Sequence, residues 1–115
     1  MSVAIVTGAA SGIGRATVEL LAARGDRVVA VDRAADPLAW CDGDERIAAL
    51  PGDVTSSEVN IRAVDLAQER FGALDAAVFN AGVSAGGDLL EMPIESFDRS
   101  IDVNVRAVVH GFRAV

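Results

Sequence analysis

The chain has 115 residues, is 51% hydrophobic and carries a net charge of −7, which describes a soluble globular domain, or part of one, with enough chain to form a core. The acidic balance argues against a general nucleic-acid or anionic-membrane surface, and no apolar run approaches the ~18 residues of a membrane span. Cys41 is the only cysteine and excludes an internal disulfide; with strand-like sequence starting at Val3 no secretory signal is expected, and a reducing, cytoplasmic setting fits.

Val3 to Val6 reads as a buried strand. The stretch Thr7-Gly8-Ala9-Ala10-Ser11-Gly12-Ile13-Gly14 follows it and opens a helix running from about Gly12 to Arg24. Ile13, Thr17, Leu20 and Leu21 share one face of that helix, and Gly25 ends it. Val28 to Val31 is apolar on both faces, as a buried parallel strand should be. Ala34 to Glu45 reads as a surface crossover with one short helix, in which Cys41 is a bystander in a polar loop. Ile47 to Leu50 is a third strand, closed by Pro51-Gly52.

Thr55-Ser56-Ser57-Glu58 has capping-box spacing and starts a second helix, with Val59, Ala63, Leu66 and Ala67 as its buried stripe and Gly72 as its stop. Leu74 to Phe79 is a fourth strand, Asn80-Ala81-Gly82 a turn, and Val83 to Met92 a loop. After Pro93 a last helix carries Phe97, Ile101, Val105, Val108, Phe112 and Val115 at helical spacing. Strands alternating with helices predict an α/β fold: a Rossmann-type, doubly wound, three-layer parallel sheet in which this chain supplies strands 3-2-1-4. Strand four would then be an uncovered edge, and the last helix has no stop signal. Both suggest that 1–115 is one Rossmann domain, incomplete at its C-terminus.

The glycine stretch has a physical use at a strand-to-helix junction. Gly8 permits a tight turn, Gly12 permits close backbone approach to a ligand, and Gly14 removes a Cβ where helix meets sheet. The free N–H groups of the helix start form a seat for a pyrophosphate. A tight turn with no ligand is the alternative. Asp32 stands 18 positions after Gly14, near the ~20 expected of a carboxylate that accepts from the adenosine ribose hydroxyls; otherwise it is a solvated strand end. A 2′-phosphate would be repelled there, so NAD is favoured over NADP, and the adjacent Arg33 softens that preference. Asp53-Val54 reads as an adenine contact or as an Asx turn ahead of the helix. Asn80-Ala81-Gly82 reads as close backbone passage past a nucleotide or as an ordinary turn.

Taken jointly, Thr7-Gly8-x-x-x-Gly12-x-Gly14, Asp32, Asp53-Val54, Asn80-Ala81-Gly82 and Asn104 within Asp102-Val103-Asn104-Val105 resemble the short-chain dehydrogenase/reductase family over essentially the whole chain. The resemblance implies that Thr7, Gly8, Ser11, Gly12, Ile13 and Gly14 line the cofactor phosphates and ribose. It implies that Asp32 selects NAD, that Asp53 and Val54 hold adenine, and that Asn80, Ala81 and Gly82 flank the ribose and stabilise the sheet. Ser11 stands where NADP-preferring relatives often carry a basic residue. Asn104 corresponds to the family's active-site Asn; on the residues alone it is a helix Asn bonded to a neighbouring element.

The family's Ser, Tyr and Lys are missing: the chain has no Tyr, and all ten of its basic residues are Arg. The only histidine, His110, lies across the helix from Asn104 and reads as a surface or interface residue. The expected function is hydride transfer between nicotinamide and a small-molecule alcohol or ketone by the parent protein, with the 115 residues alone inactive. The alternatives are a non-catalytic nucleotide-binding or interaction module of the same fold, and another Rossmann enzyme such as a methyltransferase, against which the glycine spacing argues. The resemblance also implies a homo-oligomer, dimer or tetramer, in which Val108, Phe112 and Val115 serve either an interface or the core. No metal, nucleic-acid or membrane partner is expected.

Overall fold

In a computed structural model that describes residues 1–115, the chain runs β1 (Val3–Thr7), α1 (Gly12–Ala23), β2 (Arg27–Asp32), a 3-10 helix (Asp36–Cys41), β3 (Ile47–Pro51), α2 (Ser57–Phe71) and β4 (Ala76–Val78). Then come α3 (Ile94–Ile101), a π-helical turn (Asp102–Arg106) and α4 (Ala107–Ala114). The four strands are parallel in the order β3-β2-β1-β4, as the alternating pattern predicts. Ile5 of β1 sits between Val29 of β2 and Ala77 of β4, and Ala30 of β2 pairs with Ala49 of β3.

The pleat divides the core in two, because successive strand residues point to opposite faces. On one face Val3, Ile5, Val29, Val31 and Ala48 meet Ala63 and Ala67 of α2 and Ala107 of α4. On the other, Val6, Val28, Ala30 and Ile47 meet Val18 and Ala22 of α1, with Leu38 and Cys41 of the 3-10 helix. Sheet and two helical layers form the expected three-layer Rossmann arrangement.

Several sequence expectations shift. β4 is three residues long rather than the run from Leu74 to Phe79. It is pinned at its start by the Asp75 N–H on the Val3 carbonyl and by the Val3 N–H on the Asp75 carboxylate, both at 2.8 Å. α1 buries Gly14, Val18 and Ala22; Ile13 is 78% exposed and Leu20 62%, so the face predicted from Ile13, Thr17, Leu20 and Leu21 is not the one that packs. α2 begins at Ser57, and the Thr55 hydroxyl donates to Asp53 Oδ1 at 2.8 Å instead of capping the helix. The helix starts later than the capping box predicts, with Ser56 rather than Thr55 at its N-cap and no side-chain cap hydrogen bond. Asn60, not Val59, joins Ala63 and Ala67 in the buried row of α2; its amide donates to the Val54 and Ser56 carbonyls at 2.9 Å each.

The predicted last helix is divided by the π-helical turn, where the Ala107 N–H reaches back to the Asp102 carbonyl. Its buried residues are Val103, Ala107 and Gly111, while Phe97, Ile101, Val105, Phe112 and Val115 are exposed. Small residues face the sheet because they allow close approach: a Cβ on Gly111 would lie 2.3 Å from Phe79 Cε1. Cys41 is not in a polar loop. It closes the 3-10 helix, buried in the α1-side core, and burial pushes its thiol up to about 11.

Candidate functional site

The site lies at the carboxyl ends of β1, β2, β3 and β4, the crevice where ligands enter open α/β sheets. A cavity of about 280 Å³ opens there. Its walls include Gly8 and Ser11 of the glycine turn, Asp32 and Arg33 at the end of β2, and Asp53 and Val54 after β3. Asn80, Ala81 and Gly82 after β4 also line it, Thr7, Gly12, Ile13 and Gly14 do not, and Gly52, Val83, Arg99 and Val103 are additions.

Each wall is fixed by identifiable bonds. The buried Thr7 hydroxyl accepts from the Asn80 N–H at 3.0 Å and the Ala81 N–H at 3.1 Å, while the Asn80 side-chain amide donates to the Thr7 carbonyl at 3.1 Å. Thr7 therefore clamps β1 to the turn after β4 and is not itself in the cavity wall. Gly8 adopts φ +67°, and a Cβ there would lie 2.9 Å from Asn80 Nδ2. A Cβ on Gly14 would lie 2.0 Å from the Gly8 carbonyl oxygen, so Gly14 seats α1 directly on the turn. Gly12, at φ +56°, faces open space, and Ile13 is exposed outside the cavity wall.

The polar groups of the wall differ in how far the chain itself satisfies them. Ser11 is extended at the N-cap of α1 with an uncommitted side chain, and its N–H finds no backbone acceptor. The first N–H groups of any α-helix also lack intrahelical partners. Asp32 accepts from the Ala10 N–H at 2.9 Å and the Arg33 N–H at 2.7 Å. Asp53 Oδ1 accepts from the Thr55 N–H at 3.0 Å as well as from its hydroxyl, which is the Asx-turn alternative realised; Oδ2 has no partner in the chain. The Thr55 N–H, with help from its hydroxyl and the cations Arg33 and Arg99, holds Asp53 below the usual carboxylate range. A free carboxylate oxygen beside Val54 fits an adenine amino group and ring edge. The open space at Gly12 and the uncommitted donors of Ser11 fit a diphosphate.

Asn104 lies in the π-helical turn. Its Oδ1 accepts from the Val83 N–H and its Nδ2 donates to the Val83 carbonyl, each at 2.8 Å. It holds the start of the Val83 loop against the helix and is not in the cavity wall; Gly82 leaves it room, since a Cβ there would come within 3.2 Å of Oδ1. Arg99 and Val103 were missed in the sequence. They are four apart and so share a helix face, but nothing in the sequence turns that face toward the glycine turn. His110 is half-buried in α4, outside the cavity wall.

The sheet order and the glycine turn define a Rossmann-type α/β protein. The sequence profile of the short chain dehydrogenase family matches residues 2–115. The chain belongs to that family. It is 40% identical to 2-(R)-hydroxypropyl-CoM dehydrogenase of Xanthobacter autotrophicus, over 98% of this chain and 49% of that protein. It is 34% identical to cis-2,3-dihydrobiphenyl-2,3-diol dehydrogenase of Paraburkholderia xenovorans, over 96% of this chain and 42% of that one. Among solved structures, 3-ketoacyl-(acyl-carrier-protein) reductase from Brucella melitensis complexed with NADH superposes with a TM-score of 0.92 at 33% identity, covering 97% of this chain and 47% of that one. The chain thus spans about half the length of the relatives it matches. No helix is long and apolar enough to cross a membrane.

Proposed function

We propose that residues 1–115 are the NAD-binding part of an oxidoreductase that moves hydride between nicotinamide and the carbon of an alcohol or ketone. The observation that carries this reading is the convergence on one cavity of Ser11, Asp32, Asp53 and the Asn80–Gly82 turn. When bound, nicotinamide supplies or accepts the hydride. The chain's own residues bind and orient: Ser11 and the start of α1 take the diphosphate, Asp32 the adenosine ribose, and Asp53 with Val54 the adenine. Asn80, Ala81 and Gly82 bring backbone close to the nicotinamide-side ribose. Asn104 is a supporting residue that fixes the Val83 loop.

NAD is preferred because Asp32 repels a 2′-phosphate; Arg33 and Arg99, both in the cavity wall, reduce the margin without reversing it. Proton transfer to or from the substrate oxygen requires a tuned acid or base, and this chain lacks the family's Tyr and Lys. It is therefore expected to bind NAD weakly and to catalyse no turnover by itself. The parent enzyme is expected to be a cytoplasmic dimer or tetramer, with the exposed apolar face of α3 and α4 at its interface.

Calorimetry with NADH and NADPH tests the binding reading. NADH should bind about tenfold more tightly, the worth of one repulsive charge contact at a screened site. Equal affinity, or binding unchanged by Asp53→Ala, would remove its support. A second reading is a non-catalytic nucleotide-binding module of the same fold. That reading gains if a complete parent protein binds NADH and turns over no alcohol or ketone.

A further inference from the structure

The glycine turn is tied to β2 by two consecutive N–H groups. The Ala9 N–H donates to the Val31 carbonyl at 3.1 Å, a bond that any strand end can supply. The Ala10 N–H donates to a side chain, Asp32 Oδ2, at 2.9 Å. That carboxylate is itself held by the Arg33 N–H on Oδ1 at 2.7 Å. The next residues after Ala10 are Ser11, whose N–H finds no backbone acceptor, and Gly12, which opens α1.

We propose that Asp32 is a positioning residue for the diphosphate end of the site as well as the selector at the ribose. Its carboxylate sets where Ala10 lies, and therefore where the free donors at the start of α1 point. The proposal rests on the dinucleotide reading of the cavity. An ionised carboxylate offers about four acceptor positions. Two are filled from the backbone here, which locks the rotamer, and the remainder stay open to ribose hydroxyls. Removing the carboxylate and neutralising it are then different operations. Asp32→Asn drops the charge and keeps an oxygen for the Ala10 N–H. Asp32→Ala drops both. Relaxed choice between phosphorylated and unphosphorylated cofactors should follow the first change, and loss of both ligands the second.

The test uses the wild-type chain, Asp32→Asn and Asp32→Ala. It measures amide exchange at Ala10 without ligand, then calorimetric binding of inorganic pyrophosphate, ADP-ribose and 2′-phospho-ADP-ribose. Ala10 should exchange about tenfold faster in Asp32→Ala, the worth of one charge-assisted hydrogen bond, and within about threefold of wild type in Asp32→Asn. Pyrophosphate, which has no ribose, should bind about tenfold more weakly to Asp32→Ala than to Asp32→Asn, although both have lost the same charge. Equal Ala10 exchange in all three proteins, or equal pyrophosphate affinity in the two variants, overturns the proposal. A wild-type chain that binds neither ADP-ribose nor pyrophosphate overturns the dinucleotide reading instead, and the ligand-free exchange comparison still decides the role of Asp32. Should Asp32→Ala fail to fold, Asp32→Ser takes its place: its oxygen falls one bond short of Ala10, and wild-type exchange there would again refute the claim.

Discussion

The centre of the sheet and its β4 edge are finished to different degrees. β1 and β2 are sealed: Val6, Val28 and Val29 have no exposed surface, and both faces are covered by helices. β4 has one strand neighbour, its Val78 is 37% exposed, and α3 buries no residue at all. From Ile94 to Val115 the large apolar side chains Phe97, Ile101, Val105, Val109 and Phe112 face outward. The difference teaches that the glycine turn is braced by a core the chain completes alone. The Val83 loop and its helix instead rest on one small-residue contact row and on Asn104.

The same substitution at two glycines is the strongest way to break this comparison. In Gly14→Ala the new Cβ would sit 2.0 Å from the Gly8 carbonyl oxygen and 2.6 Å from its carbon, and backbone on a sealed strand end cannot step aside. We expect a loss of about 3 kcal/mol or more in denaturant unfolding, together with loss of nucleotide binding. In Gly111→Ala the obstacle is the Phe79 ring, whose neighbour across 5.2 Å is the exposed Phe112. Both rings can swing outward, and Ala gains about 1 kcal/mol over Gly inside a helix, so the net loss should be about 1 kcal/mol. Equal losses at the two positions would mean that the sheet's centre and its β4 edge are braced alike.

Asn104→Ala comes next. It removes both hydrogen bonds to Val83 from a side chain that is itself exposed. The expected cost is about 1 kcal/mol, with faster amide exchange at Val83 and no change in β1. Exchange that rises in β1 as well would show that the loop and the sealed core unfold as one unit.

The residues that were legible in the sequence are those whose chemistry or backbone geometry admits few substitutes. Gly8 needs positive φ, Gly14 needs the absence of a Cβ, and Asp32 needs an acceptor at a strand end. Alternation of strands and helices pointed to a parallel sheet, and the doubly wound Rossmann order supplied 3-2-1-4. Helix faces were misread for a common reason. The search for large apolar side chains selected Ile13 and Leu20 in α1, and Phe97 through Val115 at the C-terminal end. The sheet, however, takes the small residues that let a helix come close: Gly14, Val18 and Ala22, then Val103, Ala107 and Gly111. The π-helical turn has no local sequence signal, because it is set by how Val103 and Asn104 dock. Arg99 and Val103 entered the cavity wall through that docking, so position in the chain did not reveal them.

The smallest expected effects concern charge. Asp44 and Arg46 form a 2.8 Å pair on the side of the sheet away from β4, and Arg46 also donates to the Ala22 carbonyl at 2.7 Å, which ties the approach to β3 to the end of α1. The Arg46 side chain, through its hydrogen bonds first, holds Asp44 down at about 2. A carboxylate lowered on folding adds stability above its unfolded value, and that stability is lost as pH falls through the folded value. Asp44→Asn should therefore cost under about 1 kcal/mol at pH 7, given how open the pair is to solvent. The gap from wild type should stay constant down to about pH 5 and close between about pH 4 and pH 2. The pair Asp102–Arg106 in the π-helical turn is longer, at 3.0 Å, with side chains 47% and 61% exposed and no third partner. As an exposed i,i+4 pair it should lose only a few tenths of a kcal/mol in Asp102→Asn. Parallel pH titrations of the two variants by urea unfolding sharpen the contrast, and a larger loss at Asp102 than at Asp44 would reverse it.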